Sequence, residues 1–181
     1  MYDLEQIVNK IYLTPSDINE HIPTLIEYAS ECETITEMGV RAITSTWAFL
    51  GAAPKRLISY DMEDPSHYGS NIQIVHDVAK QYGLNFTFIK ADVLKIDIEE
   101  TDLLFLDTWH AYDQLKAELD IHHIKVKKYI AMHDTTTYGG PSQGDPIGLL
   151  AAVMEFLASH REWTVYYHTH SNNGLTILER T

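Results

Sequence analysis

The chain has 181 residues, 45% apolar and 22% charged, with a formal net charge of −13 at pH 7. A chain of this size buries a substantial core in one domain, and the composition is that of an ordinary globular protein. The acid excess would neutralise no phosphates, which argues against nucleic acid or an anionic membrane as partners, and the single Cys32 excludes an intramolecular disulfide framework.

No apolar run reaches the length of a membrane span, and the N-terminus lacks a basic-then-apolar signal pattern, so a cytoplasmic protein is expected. Leu4, Ile7, Val8 and Ile11 recur at helical spacing and predict a helix over 2–12, broken at Thr14-Pro15-Ser16-Asp17. A second helix takes Pro23 into its first turn and runs through Leu25, Ile26 and Tyr28 towards Cys32, which is read as a packing residue. These N-terminal helices, 1–33, are expected to pack on a core of residues 34–181 within a single domain.

Thr34 to Met38 reads as a strand and Gly39 as a turn, with Ser45 or Thr46 as the hydroxyl cap of a helix around Trp47 to Leu50. Arg56 to Tyr60 is a second strand ending in Asp61. Residues 71–82 form a helix closed by Gly83, and Leu84 to Ile89 is a third strand leading to Lys90-Ala91-Asp92. The run Leu103 to Leu106 is too short for a helix and reads as a buried strand. It ends in Asp107, with His110 three positions on. A helix follows over 111–119, and His122-His123 beyond it is read as a surface pair. Tyr129 to Met132 is a fifth strand ending in His133-Asp134. Asp145-Pro146 reads as the start of a helix over 147–160. His168 and His170 flank the final turn in rim positions. Trp163 to His168 and Leu175 to Leu178 alternate as strands around Ser171-Asn172-Asn173-Gly174, a strong hairpin signal. Strands alternating with helices imply a doubly wound, mostly parallel α/β sheet, and the hairpin makes the last strand antiparallel.

The chemistry collects at strand ends. Parallel neighbours lie about 5 Å apart, so Asp107, His110, His133 and Asp134 can share one volume at the edge where open α/β sheets bind ligands. Asp107, His133 and Asp134 suit a divalent cation through hard oxygens and an imidazole, although a hydrogen-bonded strand terminus would use the same residues. His110 reads either as a general base or as a helix cap. Glu37-Met38-Gly39 is a turn in which glycine permits close backbone approach to a ligand. A dinucleotide fingerprint would need three glycines, and this turn has one. Asp61 suits a ribose diol, or it caps its own turn. Residues 135–144, with Tyr138 and Gln143, describe a substrate-covering loop or any flexible loop.

The segments Glu37 to Thr46, Tyr60-Asp61, Lys90-Ala91-Asp92, Asp102 to His110 and Ile130 to Thr135, with the Asn172-Asn173-Gly174-Leu175 turn, resemble class I S-adenosylmethionine-dependent methyltransferases. More narrowly, they resemble the branch of cephalosporin-hydroxylase-like proteins and metal-dependent sugar O-methyltransferases. The resemblance implies a seven-stranded Rossmann-like sheet with the last strand antiparallel. It places Glu37 and Gly39 beside the methionine end of S-adenosyl-L-methionine, Ser45 with Thr46 at its carboxylate, Asp61 on the ribose, and Asp92 with Val93 at adenine. Asp107 would border both cofactor and metal. It makes Asp107 and Asp134 ligands of Mg or Mn, and His110 the base acting on a sugar or glycan hydroxyl, with Tyr138 and Gln143 in the substrate loop. A homo-oligomer is compatible with it. Two departures stand out: Ile43 occupies the position of the family's second glycine, and His133 that of an acid before the last metal aspartate.

Other readings are a methyltransferase of a catechol-like acceptor, a nucleotide-sugar oxidoreductase (disfavoured by the single glycine), and a non-catalytic nucleotide-binding Rossmann-like domain.

Overall fold

The structure, a computed structural model, describes residues 1–142 and 144–181. Along the chain it forms α1 (Leu4–Leu13), α2 (Ile22–Ser30), β1 (Thr34–Met38), α3 (Thr44–Gly51), β2 (Arg56–Asp61), α4 (Ile72–Tyr82) and β3 (Phe86–Lys90). There follow β4 (Thr101–Leu106), α5 (Tyr112–His122), β5 (Val126–His133), α6 (Leu149–Ser159), β6 (Trp163–Thr169) and β7 (Leu175–Arg180). The seven strands make one sheet in the order β3-β2-β1-β4-β5-β7-β6. β1 to β5 pair in parallel, while β7 runs antiparallel to both β5 and β6. The expected fold class is therefore present.

The two-residue period of the strands divides the core into two layers. Leu103, Phe105, Tyr129 and Ala131 face α1 to α4, where Leu25, Trp47, Phe49, Val75 and Val78 pack. Leu104, Leu106, Ile130 and Met132 face α5 and α6 and meet Leu115, Leu119, Val153 and Phe156. Both faces of the central strands are apolar, as a sheet covered on each side requires. Helices α1 and α2 join the first of these layers, and Cys32 is buried there with its thiol pushed up to about 12 by burial.

Three local expectations are corrected. Ser45 and Thr46 do not cap α3; the helix starts at Thr44 after Ile43, and both hydroxyls donate to Glu37 instead. Asp145-Pro146 does not start α6, which begins at Leu149 after Gly148; Asp145 accepts from the backbone N–H groups of Tyr112, Ile147 and Gly148. His122 is not a surface residue. It is buried within α5, with Nε2 2.9 Å from the Val93 carbonyl.

The β1–α3 loop carries the backbone strain of the fold. Gly39, Arg41 and Ile43 all have positive φ, at 88°, 43° and 59°. For a β-branched residue this is costly, about 1–2 kcal/mol. Ile43 is 7% exposed and belongs to the first core layer, so side-chain burial holds it there. The left-handed turn expected of a second glycine is thus present, formed by an isoleucine. At Gly39 the demand is steric: a Cβ would lie 1.9 Å from the Asp107 carbonyl oxygen. The close approach permitted by this glycine is to the end of β4.

Gly39→Ala is therefore expected to lower unfolding free energy by more than ~2 kcal/mol, through strain and displacement of Asp107. Gly140→Ala, where an added Cβ meets nothing within 4 Å, should stay within ~0.5 kcal/mol of wild type in the same urea titration.

Candidate active site

β4 and β5 end in register, Leu106 opposite Met132, so Asp107 and His133 emerge side by side. Asp107 is fixed by its N–H, which donates to the Met38 carbonyl at 2.9 Å. Asp134 follows His133 at φ +61, a left-handed turn that brings its carboxylate towards His110. His110 Nε2 lies 2.6 Å from Asp134 Oδ2 and 3.6 Å from Asp107 Oδ1. His133 Nδ1 lies 3.3 Å from Asp107 Oδ1 and 3.6 Å from Asp134 Oδ2. The four residues expected to share one volume do so.

Their charges depend on one another. Burial would lower the pKa of His110, but Asp107 and Asp134 outweigh it and raise the ring to about 9. His133 is raised to about 9 in the same way, chiefly by Asp107 against the penalty of burial. Burial would raise Asp107, yet the two imidazoles bring it down to about 2. Both imidazoles are thus favoured in the protonated form beside Asp107.

His133 turns one ring nitrogen, Nδ1, towards the two carboxylates. Its Nε2 faces two main-chain carbonyls, Asp17 at 3.0 Å and Asn172 at 3.2 Å, and so donates a proton there, while Nδ1 faces Asp107. Asp107, His110 and Asp134 offer one ligand atom each, and these atoms all lie within 4.8 Å of one another. Asp134 Oδ1 is buried without a hydrogen-bond partner among the described residues. An orphaned carboxylate oxygen beside two further donors is what a hard divalent ion would satisfy.

The residues expected around a cofactor line the adjoining strand ends. Glu37 is fully buried and accepts from Ser45 Oγ (2.6 Å), Thr46 Oγ1 (2.8 Å) and Ser59 Oγ (2.5 Å). Burial pushes its carboxyl to about 7 against these hydroxyls. Ser45 and Thr46 thus act on the loop through Glu37. Asp61 Oδ2 accepts from the N–H groups of Val40 and Arg41 at 2.7 and 2.9 Å, and its Oδ1 from Glu63 at 2.8 Å. Asp92 caps the short turn at Val93 through Leu94 N–H and pairs with Lys95. Tyr138 stacks on His110, ring centres 4.4 Å apart and 21° between planes. Gln143 lies outside the described residues.

Other site residues had no sequence signal beyond turn or helix propensity. Asn172 reads as a hairpin former, yet its side chain binds Ser16 and Glu20 main-chain groups and its carbonyl meets both His21 and His133. Glu118 is a buried acid on α5 that accepts from Thr108 Oγ1 at 2.5 Å and pins the loop between Asp107 and His110; burial pushes it to about 7. Tyr112 and Lys116 stand four apart, the spacing of a dehydrogenase pair, but both are engaged by Glu155 on the α5–α6 flank.

No protein-family model and no curated protein matches this sequence. Solved structures do. A Staphylococcus aureus protein named as a candidate caffeoyl-CoA O-methyltransferase superposes with a TM-score of 0.64 at 15% identity, covering 100% of this chain and 93% of its own. Magnesium protoporphyrin IX methyltransferase from Synechocystis, with S-adenosylhomocysteine bound, gives 0.64 at 14%, covering 95% and 91%. A Podospora anserina methyltransferase with the same ligand gives 0.63 at 14%, covering 100% and 89%. The chain has the Rossmann-like methyltransferase fold. Within that fold, the four-residue cluster lies at the carboxyl ends of β4 and β5, and Gly39 and Asp61 lie at those of β1 and β2, along one edge of the sheet.

The paired charges carry a pH signature. Both imidazoles are raised from 6.5 to about 9, so their stabilisation is complete below about pH 6.5 and lost as pH rises through about 9. In EDTA, the urea midpoint of wild type should fall between pH 6.5 and 9. His133→Gln should be less stable at pH 6.5 and show a visibly flatter decline, a comparison that parallel titrations at three pH values would make.

Proposed function

We propose that this protein is an S-adenosyl-L-methionine-dependent O-methyltransferase that acts on a hydroxyl of a small acceptor. The acceptor class is a sugar, with Mg or Mn held at Asp107 and Asp134. The observation that carries the reading is the Asp107–His110–Asp134 cluster at the carboxyl edge of a methyltransferase-type sheet. The solved relatives of this fold include methyltransferases holding S-adenosylhomocysteine. The sugar assignment rests on the resemblance of the Asp102 to His110 and Ile130 to Thr135 segments.

The cofactor supplies a sulfonium methyl group, and a divalent cation on the two aspartates supplies charge that lowers the pKa of a bound hydroxyl. The chain does the rest. Asp61 would face the ribose, where three of its about four acceptor sites are used by backbone N–H groups and one is left for a ribose hydroxyl. The Gly39 turn borders the methionine end, and Asp92 with Val93 flanks adenine. His110 would hold the proton released by the acceptor hydroxyl. A ring held near 9 by Asp107 and Asp134 keeps its own proton at neutral pH, so this duty belongs to the state in which those carboxylates are otherwise neutralised. Tyr138, stacked on the imidazole, holds it in plane and shields it from water. Most of the rate gain would come from positioning and charge stabilisation.

Isothermal calorimetry with S-adenosylhomocysteine tests the cofactor assignment; no heat at millimolar ligand sinks it. His110→Ala should cut methyl transfer about 100-fold or more, and a rate close to wild type would leave His110 as a cap. Asp134→Asn should lower turnover without full recovery in excess Mg or Mn. Turnover unchanged in EDTA would remove the ion.

A further inference from the structure

Trp109 is 76% exposed, whereas the other two tryptophans, Trp47 and Trp163, are 5% and 2% exposed. Leaving a large aromatic side chain in water forgoes its favourable burial, and this one sits between Asp107 and His110 in the chain. It is not carried by a loose loop. Thr108 is pinned to Glu118, the Ala111 N–H donates to the Trp109 carbonyl at 2.8 Å, and the Tyr112 N–H donates to Asp145 Oδ2 at 2.6 Å. Asp145 also binds the Ile147 N–H, so the same carboxylate ties in the neighbouring loop, where Ile147 is 45% exposed. Tyr138 covers one face of His110. Trp109 lines the same small cavity as Asp107, His110 and His133, so the exposed indole stands beside the groups assigned to the acceptor hydroxyl.

We propose that the Trp109 indole is the platform for the acceptor's ring: a hydroxylated six-membered ring, pyranose or phenolic, lies face-on against it with its hydroxyl turned to His110 and Asp134. Both ring types present a flat face of C–H or π character that an indole binds, while the hydroxyl pair supplies the polar half of recognition. The inference rests on the methyltransferase reading and adds to it the shape of the acceptor and the residue that selects it.

Acrylamide quenching of tryptophan fluorescence tests this, because Trp109 is the accessible indole. The wild-type protein is held with Mg and S-adenosylhomocysteine and titrated with catechol in one arm and methyl rhamnopyranoside in the other. Shielding of the quenchable component by one probe is expected, and the arm in which it occurs names the ring type. Calorimetry should then show that Trp109→Ala weakens that probe about 10-fold or more, that Trp109→Phe recovers part of the loss, and that affinity for S-adenosylhomocysteine stays within about twofold. Shielding by neither probe, or equal probe affinity in Trp109→Ala, overturns the proposal. So does conversion of a dimer to a monomer by that substitution, which would place the indole in a subunit interface. Failure of wild type to bind S-adenosylhomocysteine sinks the methyltransferase reading itself, and normal binding without shielding sinks only the role of Trp109.

Discussion

Two carboxylates and two imidazoles share one small volume at the ends of β4 and β5, and neither pair is tolerable there without the other. Asp107 and Asp134 alone would be like charges a few ångströms apart in a partly buried site, a situation that raises a carboxyl pKa. His110 and His133 cancel that repulsion, and in exchange they are held protonated. In that cluster Asp134 Oδ1 is buried without a hydrogen-bond partner among the described residues.

Much of the surrounding structure serves to hold those four side chains still. From the β1 side, Gly39 comes so close to Asp107 that no side chain fits between them. From α5, Glu118 pins Thr108; from the loop before α6, Asp145 pins Tyr112. The segment between α1 and α2 reaches His133 through the Asp17 carbonyl, and Asn172 locks that segment to the β6–β7 turn. Positive-φ residues gather in the same places: Gly39, Arg41 and Ile43 on one side, Asp134 and Asn172 to Gly174 on the other. Strain held by surrounding packing is characteristic of functional sites, and here it concentrates on the loops that carry the cluster.

The site was legible where it depends on strand ends. Asp107, His110, His133 and Asp134 could be placed together because short apolar runs end just before them and parallel neighbours bring those ends level. Their division of labour was not legible. His133 read as an equal candidate ligand, and only the structure shows its Nε2 engaged by two main-chain carbonyls and its Nδ1 turned to Asp107. Ser45 and Thr46 read as caps because a hydroxyl before an apolar helix usually is one; a buried Glu37 competes for them and wins. His122 read as exposed from its acidic surroundings, while the Val93 carbonyl gives it a buried partner.

The sequence by itself determined the alternation of strands and helices, the antiparallel final strand and the edge at which acids and histidines gather. Those features follow from apolar periodicity and turn residues, which are properties of neighbouring positions. The tertiary structure decided which polar atoms meet, and with that the upward shift of both histidines, the engagement of His133 Nε2 by main-chain carbonyls and the exposure of Trp109. Such outcomes turn on partners distant in the chain, as with His133 and Asp17, 116 positions apart. No local pattern encodes the partner of a buried polar group, because any acceptor that the fold delivers within about 3 Å will satisfy it.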